Sequence, residues 1–71
     1  MTRDIRLFEA CGDALYGSQW RAQLGTALEV NERTIRRWVA GSNEIPDGAW
    51  VDMKKLLKAR AAMLRALAKD V

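Results

Sequence analysis

Apolar residues recur along this chain at helical spacing, in runs parted by short polar or glycine-bearing breaks at Gly17-Ser18, Glu29-Val30-Asn31 and Gly41 to Pro46. Ile5, Phe8, Cys11 or Gly12, and Leu15 predict a first helix capped by Thr2 or Asp4 and ended at Gly17. Gly12 inside that helix costs about 1 kcal/mol relative to Ala and is read as a point of close helix packing. Ser18 predicts the N-cap of a second helix reaching Leu28, with Trp20, Leu24, Ala27 and Leu28 on one face. Asn31 caps a third helix over Glu32 to Ala40, and Gly41 stands where a left-handed residue ends a helix. Pro46 suits the first position of a fourth, Asp47 adds favourable charge to its first turn, and nothing breaks it before Lys69. Such a helix reaches about 35 Å.

The fourth helix has more apolar positions than a short domain needs. Trp50, Met53, Leu57, Leu64, Leu67 and Val71 follow a heptad seam, widened by Leu56 and Met63 and interrupted by Arg60. Its first part is expected to cover the chain's own core. Leu57, Met63, Leu64, Leu67 and Val71 are the expected self-association surface, because so small a domain cannot also cover the last turns. Trp20, Trp38 and Trp50 each fall on an apolar stripe and are read as core. Stacking on single-stranded bases would require exposed rings beside a basic groove.

Length sharpens that expectation, since a chain of 71 residues is one domain and buries only about 60% of its unfolded surface. Homodimerisation is a common remedy. The net charge of +3 is unevenly placed. Residues 1 to 32 hold three basic and five acidic side chains, whereas residues 33 to 69 hold nine basic and three acidic. The second half therefore attracts polyanions. Lys54, Lys55, Lys58, Arg60, Arg65 and Lys69 are expected on a solvated helix face that adds to this attraction.

Several function classes drop out. Cys11 is the single cysteine and there is no histidine, so no internal disulfide and none of the usual zinc constellations can form. No metal or cofactor is expected, and Cys11 reads as a small buried hydrophobe. Without histidine, paired carboxylates around a cleft or an activated nucleophile, the chain does not read as an enzyme. No run approaches a membrane span, and Met1 to Phe8 mixes Arg and Asp where a secretory segment would be apolar. A cytoplasmic protein with no membrane partner is expected.

The third helix carries the distinctive chemistry. Placed at about 100° per residue with Ile35 at zero, Trp38 and Val39 lie beside Ile35, while Arg33, Arg36, Arg37 and Ala40 fall on the opposite side. A planar guanidinium can bond guanine O6 and N7 bidentately, and binds phosphate with the same fork. The three arginines also stand three and four residues apart, a like-charge spacing that an opposing anion would relieve. The alternative is an ordinary solvated charged face.

Leu24, Gly25, Leu28, Val30, Ile35 and Trp38 together resemble the helix-turn-helix core of the lambda-repressor and Cro class, the XRE family. The resemblance covers Gln19 to Gly41, and departs at Glu29, where that family usually has Gly, and at Arg21, where Gln is frequent. It implies an all-α, four- to five-helix lambda-repressor-like domain over residues 1 to 71, with a helix-turn-helix core at 18 to 41 and a C-terminal helix at 46 to 69 partly for dimerisation. It further implies that Asn31, Glu32, Arg33, Thr34, Arg36 and Arg37 face bases or nearby phosphates of double-stranded DNA. The helix start at Ser18, Gln19 and Arg21 would face the backbone. Its free amides and dipole suit phosphate oxygens, as would Ser42 and Asn43 in the following loop. The size resembles small regulators of phages, prophages and mobile elements, which implies a dimeric repressor reading an inverted repeat. A rival reading is a protein-interaction module, antitoxin-like, docking an acidic partner.

Overall fold

A computed structural model describes residues 3–71, and every regular element among them is helical. Helix α1 spans Ile5–Tyr16, a 3-10 turn Gly17–Gln19, α2 Trp20–Leu28, α3 Glu32–Val39 and α4 Asp47–Asp70. Asp4 caps α1, its carboxylate accepting the Leu7 amide at 2.8 Å; Thr2 lies outside the described residues. Asn31 Oδ1 accepts the Arg33 amide at 2.9 Å and so starts α3 as the sequence predicts.

Three expected boundaries shift. Ser18 is not an N-cap: it lies inside the 3-10 turn, α2 begins at Trp20, and no side chain caps it. Gly17, at φ 78°, ends α1 and the chain turns straight into helix again, leaving no extended residue from which a cap side chain could reach back. Pro46 stands one residue before α4 with an extended ψ of 152°, so it precedes the helix instead of opening it. Helix α3 ends at Val39, with Ala40 as its C-cap and Gly41 at φ 82°.

The α2–α3 turn is closed without glycine at its left-handed position. Glu29 takes φ 58° and ψ 41°, and its amide donates to the Gly25 and Thr26 carbonyls. The Val30 amide donates to the Gly25 carbonyl at 2.9 Å. A Cβ on Gly25 would lie 2.9 Å from the Val30 carbonyl oxygen, so the small residue is what lets the chain fold back so closely.

Phe8 is the centre of the core and fully buried. Its ring meets Trp20, Trp38 and Trp50 edge-on, at centroid distances of 6.1, 5.9 and 5.3 Å. Each of these belongs to a different helix, so one side chain of α1 contacts α2, α3 and α4. Leu15, Leu24, Ile35, Ala49 and Met53 complete the buried set, while Trp50, Cys11 and Leu28 are partly buried against it. Burial raises the Cys11 thiol pKa above its ordinary value. Gly12 is a close-packing point as expected, since a Cβ there would lie 2.3 Å from the Trp20 ring.

Arg60 departs from the solvated face expected of it. Its Nη1 donates to the Leu15 carbonyl at 2.8 Å and its guanidinium lies 5.8 Å from the Tyr16 ring centroid. A cation satisfying an end carbonyl of α1 suits the negative pole of that helix. It also ties α4 to α1 at the last point where α4 has cover. From Ala61 to Val71 every residue is exposed.

Two stability measurements check this packing. Gly12→Ala should destabilise by about 1–3 kcal/mol in urea unfolding despite its better helix propensity, because the Trp20 ring is buried and has no room to yield. A variant as stable as the parent would mean the ring is not seated on Gly12. Glu29→Gly should stabilise by about 0.5 kcal/mol, the relief of left-handed strain exceeding the added entropy of the unfolded chain.

Candidate nucleic-acid interface

Helix α3 has eight residues and separates its two faces completely. Ile35 is 0% and Trp38 7% exposed, held against Phe8 and the core. Arg33, Arg36 and Arg37 are exposed on the opposite side. Burial of Ile35 and Trp38 therefore sets where the guanidinium groups point.

The arginines differ in what they already hold. Arg36 forms an i,i+4 ion pair with Glu32, the two side chains being 67% and 37% exposed. Arg33 and Arg37 have no carboxylate within 4 Å among the described residues. Glu32 also places an acid in the first turn of α3, where the helix dipole favours it. So exposed a pair contributes at most a few tenths of a kcal/mol. Arg36 can exchange Glu32 for another anion at little cost.

A cleft of about 240 Å³ runs between the start of α2 and α3, lined by Ser18, Gln19, Arg21, Ala22, Glu32 and Arg36. It brings together residues expected at the phosphate backbone and residues expected nearer the bases. Arg21 is anchored there, its Nη2 3.8 Å from Glu9 Oε2 and its guanidinium 4.9 Å from the Trp20 ring centroid. No side chain caps α2, whose start borders this same cleft. An anion in the cleft would meet a helix N-terminus, Arg21 and Arg36 together.

Ser42 and Asn43 do not join the cleft. Their amides donate to the Arg37 carbonyl at 3.0 and 3.4 Å, closing the end of α3, and are not free for phosphate. Their exposed side chains remain next to the arginine face. Asn31 is exposed but its Oδ1 is occupied by the Arg33 amide, and the Thr34 amide donates to the Asn31 carbonyl at 2.9 Å. Asn31 thus builds the start of α3 whatever else it touches. Of the residues expected at a self-association surface, Leu57 is half-buried against the chain's own core, while Met63, Leu64, Leu67 and Val71 are exposed.

The Glu32–Arg36 pair gives a test that needs no target sequence. Glu32→Gln should leave the melting temperature within a few degrees of the parent, and should move elution from a polyanion column to higher salt, because it releases Arg36 and removes a negative charge. Earlier elution would mean that Arg36 does not face outward.

Searches of the chain against protein-family models, curated proteins and solved structures find no match.

Proposed function

We propose that the chain is a sequence-specific, double-stranded DNA-binding regulator in which α2 and α3 act as a helix-turn-helix and α3 enters the major groove. The observation that carries this reading is the pairing of an α3 face of exposed Arg33, Arg36 and Arg37 with an uncapped α2 start and Arg21 around one cleft. Phosphate contacts from the α2 start would position the protein, and arginine forks on α3 would read base edges. The likeness of Gln19 to Gly41 to the lambda-repressor and Cro class supports the same assignment. Asn31, Glu32, Arg33, Thr34, Arg36 and Arg37 form the base-proximal set, with Ser18, Gln19, Arg21, Ser42 and Asn43 nearest the backbone.

The regulator acts as a homodimer, most simply a repressor of the phage, prophage or mobile-element kind that controls its own or a neighbouring promoter. A body with this few buried side chains gains from a partner. The exposed Met63, Leu64, Leu67 and Val71 supply apolar surface for one. Two-fold symmetry then calls for an inverted repeat with half-sites about 34–36 Å apart, or a multiple of that. A second reading, docking of an acidic partner protein, is favoured by one observation: Arg36 already binds a carboxylate.

Selection of sites from random duplex DNA, followed by titration at two salt concentrations, separates these readings. On the selected site, Arg36→Ala or Arg37→Ala should each cost about 1–3 kcal/mol with an unchanged circular dichroism spectrum. Binding by either variant as tight as the parent's contradicts the assignment of the recognition face. Absence of any salt-dependent duplex binding by the parent favours the acidic partner.

A further inference from the structure

The six cations of α4 fall into two groups. Arg60 turns inward onto the Leu15 carbonyl, and Lys55 stands at the rim of a groove that Glu29 and Asp52 also line. Lys54, Lys58, Arg65 and Lys69 are exposed and have no carboxylate within 4 Å among the described residues. With Lys54 at zero and about 100° per residue, these four lie between about 0° and 60° on the wheel of α4. Asp52 and Asp70 lie near 160°, on another face. Asp47 shares the direction of the four, but it precedes them by two turns and is paired with Arg3. No acid falls between Lys54 and Lys69. Resting on the DNA binding proposed above, we infer that this stripe is a second contact with the duplex, lying along its phosphate backbone and adding affinity without reading sequence.

Placement and residue type both favour a backbone contact. Arg60, the last side chain of α4 tied to the body, bonds the Leu15 carbonyl and lies 5.8 Å from the Tyr16 ring centroid. The chain continues from Tyr16 into the Gly17–Gln19 turn, whose Ser18 and Gln19 line the arginine cleft. The exposed half of the stripe therefore leaves the body beside the place where the α2 start would hold a phosphate. Arg65 and Lys69 follow Arg60 by about 8 and 14 Å along the helix. The whole stripe is about 22 Å long, and a duplex offers one phosphate per about 1.7 Å of its axis. Such a row meets phosphates in any register. Three of its four members are lysines, point charges on flexible stems, whereas the α3 face is all arginine, whose planar fork suits base edges.

An anionic bilayer fits this helix less well, because a bilayer-bound helix carries cations across its polar face. Past Arg60, the apolar stripe of Leu64, Leu67 and Val71 has Arg65 and Lys69 along one border and Asp70 along the other.

The salt dependence of binding to a short mixed-sequence duplex tests the stripe. Lys58→Gln combined with Arg65→Gln should keep the helical content and lower the slope of log binding constant against log salt by about 1.8, two contacts at about 0.9 each. Ala61→Glu and Ala59→Glu change the net charge equally at exposed positions two residues apart. Ala61 lies near −20°, between Lys58 and Arg65, and Ala59 near 140°, so only Ala61→Glu should lower the slope. An unchanged slope in the double variant, or equal falls for the two glutamates, overturns the stripe and leaves the assignment of α3 standing. A double variant that loses binding to phosphatidylglycerol vesicles while keeping the parent's duplex slope gives the stripe to a membrane and overturns it too. A fall in the double variant with none in Arg33→Gln combined with Arg37→Gln supports the stripe and counts against α3 as the recognition helix. A parent without salt-dependent duplex binding overturns both.

Discussion

Phe8 packs edge-on against one tryptophan from each of α2, α3 and α4, and the remaining contacts are arranged around that junction. Edge-to-face pairs contribute about 0.5–1.5 kcal/mol each beyond the area they bury, and here three of them share a single ring. Their directional preference matters as much as their strength. An eight-residue helix such as α3 is far too short to be stable alone. It takes its orientation from Trp38 against Phe8 and from Ile35 beside it. The outward direction of Arg33, Arg36 and Arg37 is a consequence of that packing, so the proposed chemistry of α3 depends on a ring in α1.

Much of this was legible in the sequence because periodicity and capping are local. The apolar stripes placed Phe8, Leu15, Trp20, Leu24, Ile35 and Trp38 inside, and Asn31 was a readable start for α3 because its side chain bonds an amide two residues on. What periodicity could not show was convergence. Nothing in the spacing of Trp20, Trp38 and Trp50 says that all three meet one phenylalanine. Ser18 misled because a good capping residue needs an extended backbone, and Gly17 with the 3-10 turn denies it one. Arg60 misled for a related reason. Its partner, the Leu15 carbonyl, is 45 residues away and belongs to a helix end that exists only once α1 has ended at Gly17.

For the candidate site, the sequence showed which residues share a face but not which are already engaged. Arg36 and Glu32 are one turn apart, so their pairing was within reach of the i,i+4 rule. The closing of Ser42 and Asn43 amides onto Arg37 was not, because it depends on the left-handed Gly41 reversing the chain. Nor could spacing join the start of α2 to α3 across their cleft. That neighbourhood is made by the turn at Glu29, where a residue other than glycine accepts left-handed backbone and is held there by bonds to the Gly25 and Thr26 carbonyls.

The electrostatics of α3 and the length of α4 carry the same argument one step further. Packing three arginines at like-charge spacing weakens a short helix, and the chain offsets this through Glu32, Asn31 and the burial of the opposite face. A polyanion would relieve the same repulsion from outside, and the first contact it would displace is an exposed ion pair of little worth. At the other extreme, α4 continues for ten residues past the last side chain that ties it to the body, with Leu64 and Leu67 each 55% exposed. Solvent accounts for the cations on one face of that stretch but not for the leucines on the other. A partner covering the leucines would account for them and would leave the outward cations free to draw a polyanion, so the two exposed features of the molecule are compatible with one assembly.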